Sequence, residues 1–202
     1  MNLGGLDVSR ETMDRLKSYE ALLKKWNPAI NLVAKSTLSD AWTRHFLDSA
    51  QIYQLPGRNV DHWADLGSGG GFPGMVIAMI AMEKTNPGRV TLVESDTRKC
   101  TFLRTVARET DTEVNIIAER IERCEQRQAD VWSARALADL SNLLAFADQH
   151  LSGTGEALFL KGASWRKEVE NAQRTWRFDH QVVTSKTEDG PAILRISGVS
   201  RA

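Results

Sequence analysis

The chain has little cysteine, no excess of either charge and no long apolar run. Its 202 residues include two cysteines, Cys100 and Cys124, at a spacing unlike that of metal ligands. A disulfide-stapled scaffold is excluded, and the expectation is a reduced protein without a metal. Lys plus Arg is 26 and Asp plus Glu is 26, so the formal net charge is zero. That balance excludes a general nucleic-acid coat protein, which carries a strong basic surplus, but it is compatible with a local basic face for one RNA. No apolar run approaches the roughly 20 residues of a membrane span. The opening MNLGGLDVSRETMDRL lacks the basic start and apolar centre of a secretory signal. A cytoplasmic protein with no membrane partner is expected. Internal repeats, low-complexity tracts and oligomer signals are lacking too, which leaves monomer as the default.

What is present is an ordinary globular composition, 42% hydrophobic and 26% charged. The length suits one well-cored domain with an extra element at one end. Ser9 is placed to cap a helix with Met13, Leu16, Leu22, Leu23 and Trp26 near helical spacing, ended by Asn27-Pro28. A second helix starts near Ser39, carries Trp42, Phe46, Ala50 and Tyr53, and stops at Leu55-Pro56-Gly57. After Gly57 short apolar runs alternate with amphipathic stretches. Strands are predicted at His62 to Leu66, Arg89 to Glu94, Val114 to Ala118, Asp130 to Ala134 and Ala157 to Leu160. Helices are predicted from about Pro73 to Met82, from Asp96 onward, from Leu140 to His150 and from Trp165 to Trp176. A hairpin, Gln181 to Thr184 and Ala192 to Ser197, turns through Asp189-Gly190. The alternation implies an α/β fold: a Rossmann-like, mostly parallel sheet covered on both faces, with an antiparallel edge hairpin. Residues 1–57 read as an N-terminal helical extension and 58–202 as the Rossmann-like domain.

The chemistry-bearing feature is DLGSGGGFPG, Asp65 to Gly74, with five glycines after the first predicted strand. In an open parallel sheet, ligands bind beyond the carboxyl ends of the strands at the switch point. Gly69, Gly71 and Gly74 also satisfy G-x-G-x-x-G, and Glu94 ends the next strand, so a dinucleotide site has the same layout. Asp65 tips the choice. A carboxylate at the strand end can meet the ammonium of S-adenosylmethionine, directly or through water, but repels a pyrophosphate. Glu94 can accept from ribose hydroxyls of either cofactor.

Further segments carry a family resemblance: KWNPAINLVA from Lys25, RHFLDS (Arg44 to Ser49), the glycine loop, and TLVESDTRKCTFLR (Thr91 to Arg104). AERIE (Ala118 to Glu122), DVWSARALADL (Asp130 to Leu140) and LKG (Leu160 to Gly162) follow in order. Together they resemble the RsmG family, also called GidB, from about Trp26 to Gly162. The ending after Lys161 follows that family only loosely. The resemblance implies S-adenosyl-L-methionine-dependent methylation of N7 of a guanine in 16S ribosomal RNA of the small subunit. It carries cofactor contacts onto Gly67, Phe72, Ile121, Glu122 and Arg135, with Asp65, Gly69 and Glu94 in the same motif set.

Arg135, after the fourth strand, is the candidate for a dual catalytic and cofactor role, since arginine also pairs with guanine O6. Lys161 is a candidate for phosphate, and Arg44 and His45 for an RNA-facing patch, with Asp48 spaced to pair with either of them. Guanine N7 bears a lone pair and no proton, so no nucleophile–base pair is required. Two other readings stand beside this one: an NAD-dependent oxidoreductase, and a non-catalytic ribosome-binding module with a relic loop.

Overall fold

The computed structural model describes residues 1–125 and 128–202. A two-stranded hairpin, β1 (Asn2–Leu3) and β2 (Leu6–Asp7), precedes helix α1 (Arg10–Ile30). Ser9 caps α1 through Thr12 N–H. Met13, Leu16, Tyr19, Leu23 and Asn27 bury one helix face at spacings of three and four. The expected stop at Asn27-Pro28 is not where α1 ends. Pro28 lies in its last turn, and closure comes at Asn31, in the left-handed conformation at φ 49°. A buried Asn27 holds the exit by accepting Val33 N–H at 2.8 Å.

The second expected helix is not a regular α-helix. A 3₁₀ turn (Lys35–Thr37) is followed by a π-helical turn, Trp42–Leu47, that runs into a short α-helical turn, α2 (Asp48–Ala50). Wider turns of this kind recur at functional sites.

The sheet strands are β3 (His62–Leu66), β4 (Arg89–Glu94), β5 (Asn115–Ala118), β6 (Ala129–Arg135), β7 (Leu151–Lys161), β8 (Trp176–Thr184) and β9 (Ala192–Arg201). Helices α3 (Gly74–Lys84), α4 (Thr97–Glu109), α5 (Leu140–His150) and α6 (Trp165–Ala172) connect them. Asp96 and Asp139 cap α4 and α5. Trp176, expected at the end of α6, instead opens β8.

The spatial order is β5-β4-β3-β6-β7-β9-β8. β5, β4, β3, β6 and β7 run parallel; β9 is antiparallel to β7 and to β8. All five residues of β3 are buried, as a central parallel strand requires. One hydrophobic cluster joins α1, α3 and α4 on one face, through Leu16, Tyr19, Ile77, Phe102 and Leu103. The second joins α5 and α6 on the other face, through Leu144, Trp132, Trp165 and Trp176. Growth of the sheet in both directions from β3 creates a switch point between β3 and β6. Leu66 aligns with Val93 of β4 and Ala134 of β6, so three strands end level at one mouth.

Candidate active site

A cavity of about 970 Å³ opens at that mouth. Pockets of roughly 300–1,000 Å³ suit a nucleoside-sized ligand, so this one has room for a cofactor and part of an acceptor base. One wall is the glycine loop. Gly67 has φ 59°, and a Cβ there would lie 2.4 Å from Leu137 Cδ1. A side chain there would be strained and would push Leu137 aside, so glycine suits the point. Glu94 fastens the loop to the next strand: Oε2 accepts Gly69 N–H at 2.8 Å and Oε1 accepts Asp96 N–H at 2.8 Å. Each oxygen keeps a lone pair for a further donor. Gly67, Gly69, Glu94, Ile121 and Glu122 all line this side. Ile121 is buried and Glu122 is exposed at the rim.

Helix α1 reaches the loop from behind. The Tyr19 hydroxyl donates to the Gly70 carbonyl. Its ring stacks on Phe72, centroids 5.2 Å apart at 15°. Phe46 meets both rings edge-on. Phe72 therefore faces the cavity from a fixed aromatic stack.

Asp65 does not line the cavity. Its side chain is fully buried, with Oδ1 accepting from Ser133 Oγ at 2.7 Å and Oδ2 lacking a hydrogen-bond partner. Burial pushes its pKa up to about 6, against the opposing pull of the Ser133 and Ser68 hydroxyls, the Gly74 N–H and Arg135. Gly74, which opens α3, packs directly over this carboxyl: a Cβ on it would lie 2.9 Å from Oδ2. This sets the carboxylate beneath the loop and the start of α3, behind the cavity lining.

The opposite wall comes from the π-helical turn, the end of β6 and the β8–β9 loop. Arg135 Nη1 donates to the Arg44 carbonyl at 2.9 Å and approaches Asp48 Oδ2 at 3.4 Å. Its guanidinium sits 5.0 Å from the Phe72 ring centroid, a cation–π contact. Burial lowers the Arg135 pKa, and the Asp48 charge opposes that shift. His45 is buried, with Nε2 2.8 Å from Thr37 Oγ1 and its ring 5.1 Å from that of Phe72. Burial, then Arg135 and Arg44, lowers its pKa to about 3. Arg44 instead reaches out to Glu188 of the β8–β9 loop, at 2.6 Å. Lys161 lines the cavity, but its ammonium is occupied by Glu168 at 2.7 Å and the Ala138 carbonyl at 2.9 Å.

The structure thus gathers Gly67, Gly69, Phe72, Glu94, Ile121, Glu122, Arg135, Arg44, His45 and Lys161 around one cavity and sets Asp65 behind it. Sequence reasoning missed two parts. Asp48 pairs with Arg135, 87 residues away, and not with the side chain of Arg44 or His45. Residues Ser185, Thr187 and Glu188 reach the cavity from the far end of the chain. No local spacing encodes either contact. Among the described residues, no group of three or more His, Cys, Asp or Glu side chains could hold a metal ion, and no helix is long and apolar enough to cross a membrane.

The comparisons with known proteins agree with this geometry. A family model described as rRNA small subunit methyltransferase G, GidB, matches residues 12–192. A protein of Ruegeria sp. (strain TM1040) described as ribosomal RNA small subunit methyltransferase G is 53% identical over 97% of this chain and 95% of its own length. A Ruegeria pomeroyi protein of the same description is 50% identical over 97% and 96%. Solved structures support the fold at low identity. The ribosomal protein L11 methylase of Lactobacillus delbrueckii subsp. bulgaricus matches with a TM-score of 0.61 and 16% identity, over 76% of this chain and 78% of that one. A methyltransferase from Geobacter sulfurreducens matches with a TM-score of 0.60 and 14% identity, over 96% and 91%. The sheet is therefore that of a class I methyltransferase. The glycine-loop cavity and a family match over residues 12–192 together place the chain in the GidB family of S-adenosylmethionine-dependent methyltransferases of small-subunit ribosomal RNA.

Proposed function

We propose that the chain methylates N7 of a guanine in 16S ribosomal RNA, in the cytoplasm, using the cavity at the ends of β3, β4 and β6. S-adenosylmethionine supplies an electrophilic methyl group on a sulfonium. The residues present suit it. Gly67 and Gly69 allow close approach to the backbone, Glu94 retains acceptor capacity for ribose hydroxyls, and Ile121 gives an apolar side to the same wall. Glu122 at the rim and Arg135 on the opposite wall supply charge of either sign. Phe72, backed by Tyr19, excludes water from the floor.

The observation that carries the reading is the family match over residues 12–192, which coincides with the glycine-loop cavity; the state of His45 is in keeping with an N7 acceptor. It is the one histidine among the described residues lining the cavity. With a pKa of about 3 it is a poor proton acceptor near neutral pH. An acceptor that must lose a proton would have to turn to the carboxylates lining the cavity, such as Glu94 and Glu122. Guanine N7 loses none, so alignment of the two reactants suffices, and positioning of this kind can supply much of a rate enhancement. The two-donor edge of Arg135 suits guanine O6, beside N7. Arg44, half-exposed at the mouth, is placed to leave Glu188 for an RNA phosphate. Lys161, already paired with Glu168, contributes through the wall it holds.

The test is incubation of the purified protein with labelled S-adenosylmethionine and small subunits from cells lacking it, followed by borohydride reduction and aniline cleavage, which cuts at N7-methylguanine. Label and one new cleavage site in 16S RNA are expected. Label resistant to cleavage would exclude N7 as the acceptor. Ribosome association with no label would select the non-catalytic module, and preferential binding of NADH would select the oxidoreductase.

A further inference from the structure

We propose that Asp48 is a positioning residue for the cofactor site: its carboxylate aims the Arg135 guanidinium into the cavity and, through Thr187, ties the β8–β9 loop to the same point. This rests on the reading that Arg135 meets the cofactor.

Asp48 divides its two oxygens between two elements of the same wall, the end of β6 and the β8–β9 loop. Oδ2 faces Arg135 Nη1 at 3.4 Å. Oδ1 accepts from Gln51 Nε2 at 2.7 Å and from Thr187 Oγ1 at 2.9 Å. Gln51 strengthens the tie to the loop, because its Oε1 accepts Lys186 N–H at 2.9 Å. One carboxylate therefore touches the end of β6 and the tip of a hairpin 139 residues further along the chain.

The π-helical turn makes this convergence possible. The Asp48 N–H bonds to the Thr43 and His45 carbonyls and not to that of Arg44. The Arg44 carbonyl points to Arg135 Nη1, the same atom that Asp48 approaches. With Phe72 against the guanidinium face, Arg135 is held by one nitrogen and one face. Its Nε and Nη2 make no hydrogen bond among the described residues, and Arg135 lines the cavity. Those are the donors a ligand would meet. A surface ion pair contributes little, but this one is mostly covered: the side chains are 16% and 19% exposed. Its loss would leave a buried guanidinium free to turn.

The test is calorimetric titration of S-adenosylmethionine into the wild type, Asp48→Asn, Arg135→Met and the double variant, with melting curves for each. Asp48→Asn is expected to weaken binding about tenfold, the size usual for coupled neighbours. On the Arg135→Met background the same change is expected to do nothing further. Additive losses would overturn the proposal, since Asp48 would then act without Arg135. Wild-type affinity in Arg135→Met would instead remove the reading of Arg135 itself. If Asp48→Asn melts below the assay temperature, Asp48→Glu, which keeps the charge and displaces it, takes its place in the same cycle. Hydrogen exchange gives the loop half: residues 185–191 are expected to exchange faster in Asp48→Asn than in Arg135→Met. Equal protection in the two would overturn that half.

Discussion

Burial moves the Asp65 and His45 pKa values in opposite directions, and in both cases it disfavours charge. The consequences for stability have opposite signs. His45 binds its proton less readily in the folded chain, with a pKa of about 3, than in the unfolded one, near 6.5. Its contribution is complete above pH 6.5 and is lost as pH falls toward 3. Asp65 binds its proton more readily when folded, at about 6 against 3.8. Its contribution is complete below pH 3.8 and is lost as pH rises through 6. Asp65→Asn carries no such penalty. The stability of that variant relative to the wild type should therefore rise by about 2 kcal/mol between pH 4.5 and 7.5, as read by urea denaturation. A pH-independent difference would place Asp65 elsewhere than beneath the loop. NMR should find His45 neutral from pH 8 down to about 4, against a midpoint near 6.5 for an exposed imidazole.

At the scale of elements, the glycine loop depends on what stands behind it. A Cβ on Gly74 would lie 2.3 Å from Leu92 Cδ2 and 2.6 Å from Asp65 Cβ. Gly74→Ala should cost about 1–3 kcal/mol by overpacking and lose cofactor binding as α3 shifts, seen as a lower melting temperature and a flat titration. Tyr19→Phe keeps the ring stack and removes only the donor to Gly70. It should cost about 1–2 kcal/mol, the size of a buried acceptor left unpaired, and weaken cofactor binding by a small factor in the same titration. Much at this scale was legible in the sequence, because each signal was local. β3, β4 and α5 have the bounds that apolar runs and caps predict. The errors are local too. Trp165, Val169, Ala172 and Trp176 keep helical spacing and bury in one cluster, so the pattern carried α6 four residues too far into β8. Asn27-Pro28 predicts a stop, but the tail of a helix tolerates Pro28 when a left-handed residue closes the turn.

At the scale of the whole molecule, the site is assembled from both ends of the chain. Tyr19, from the N-terminal helix, supports the loop from behind, and the β8–β9 loop closes the mouth through Asp48, Gln51 and Arg44. The residues carried over from family motifs came together because those motifs sit at strand ends that the parallel sheet aligns. Thr187 and Glu188 were not legible, since their place depends on β9 inserting between β7 and β8. The central claim concerns what the assembled site does in the cell. It is tested most directly by mass mapping of 16S ribosomal RNA from cells with and without this protein. The account predicts one guanine carrying an N7 methyl group in the first sample and unmodified in the second. Identical RNA in the two samples, or a difference at any other atom, would contradict it.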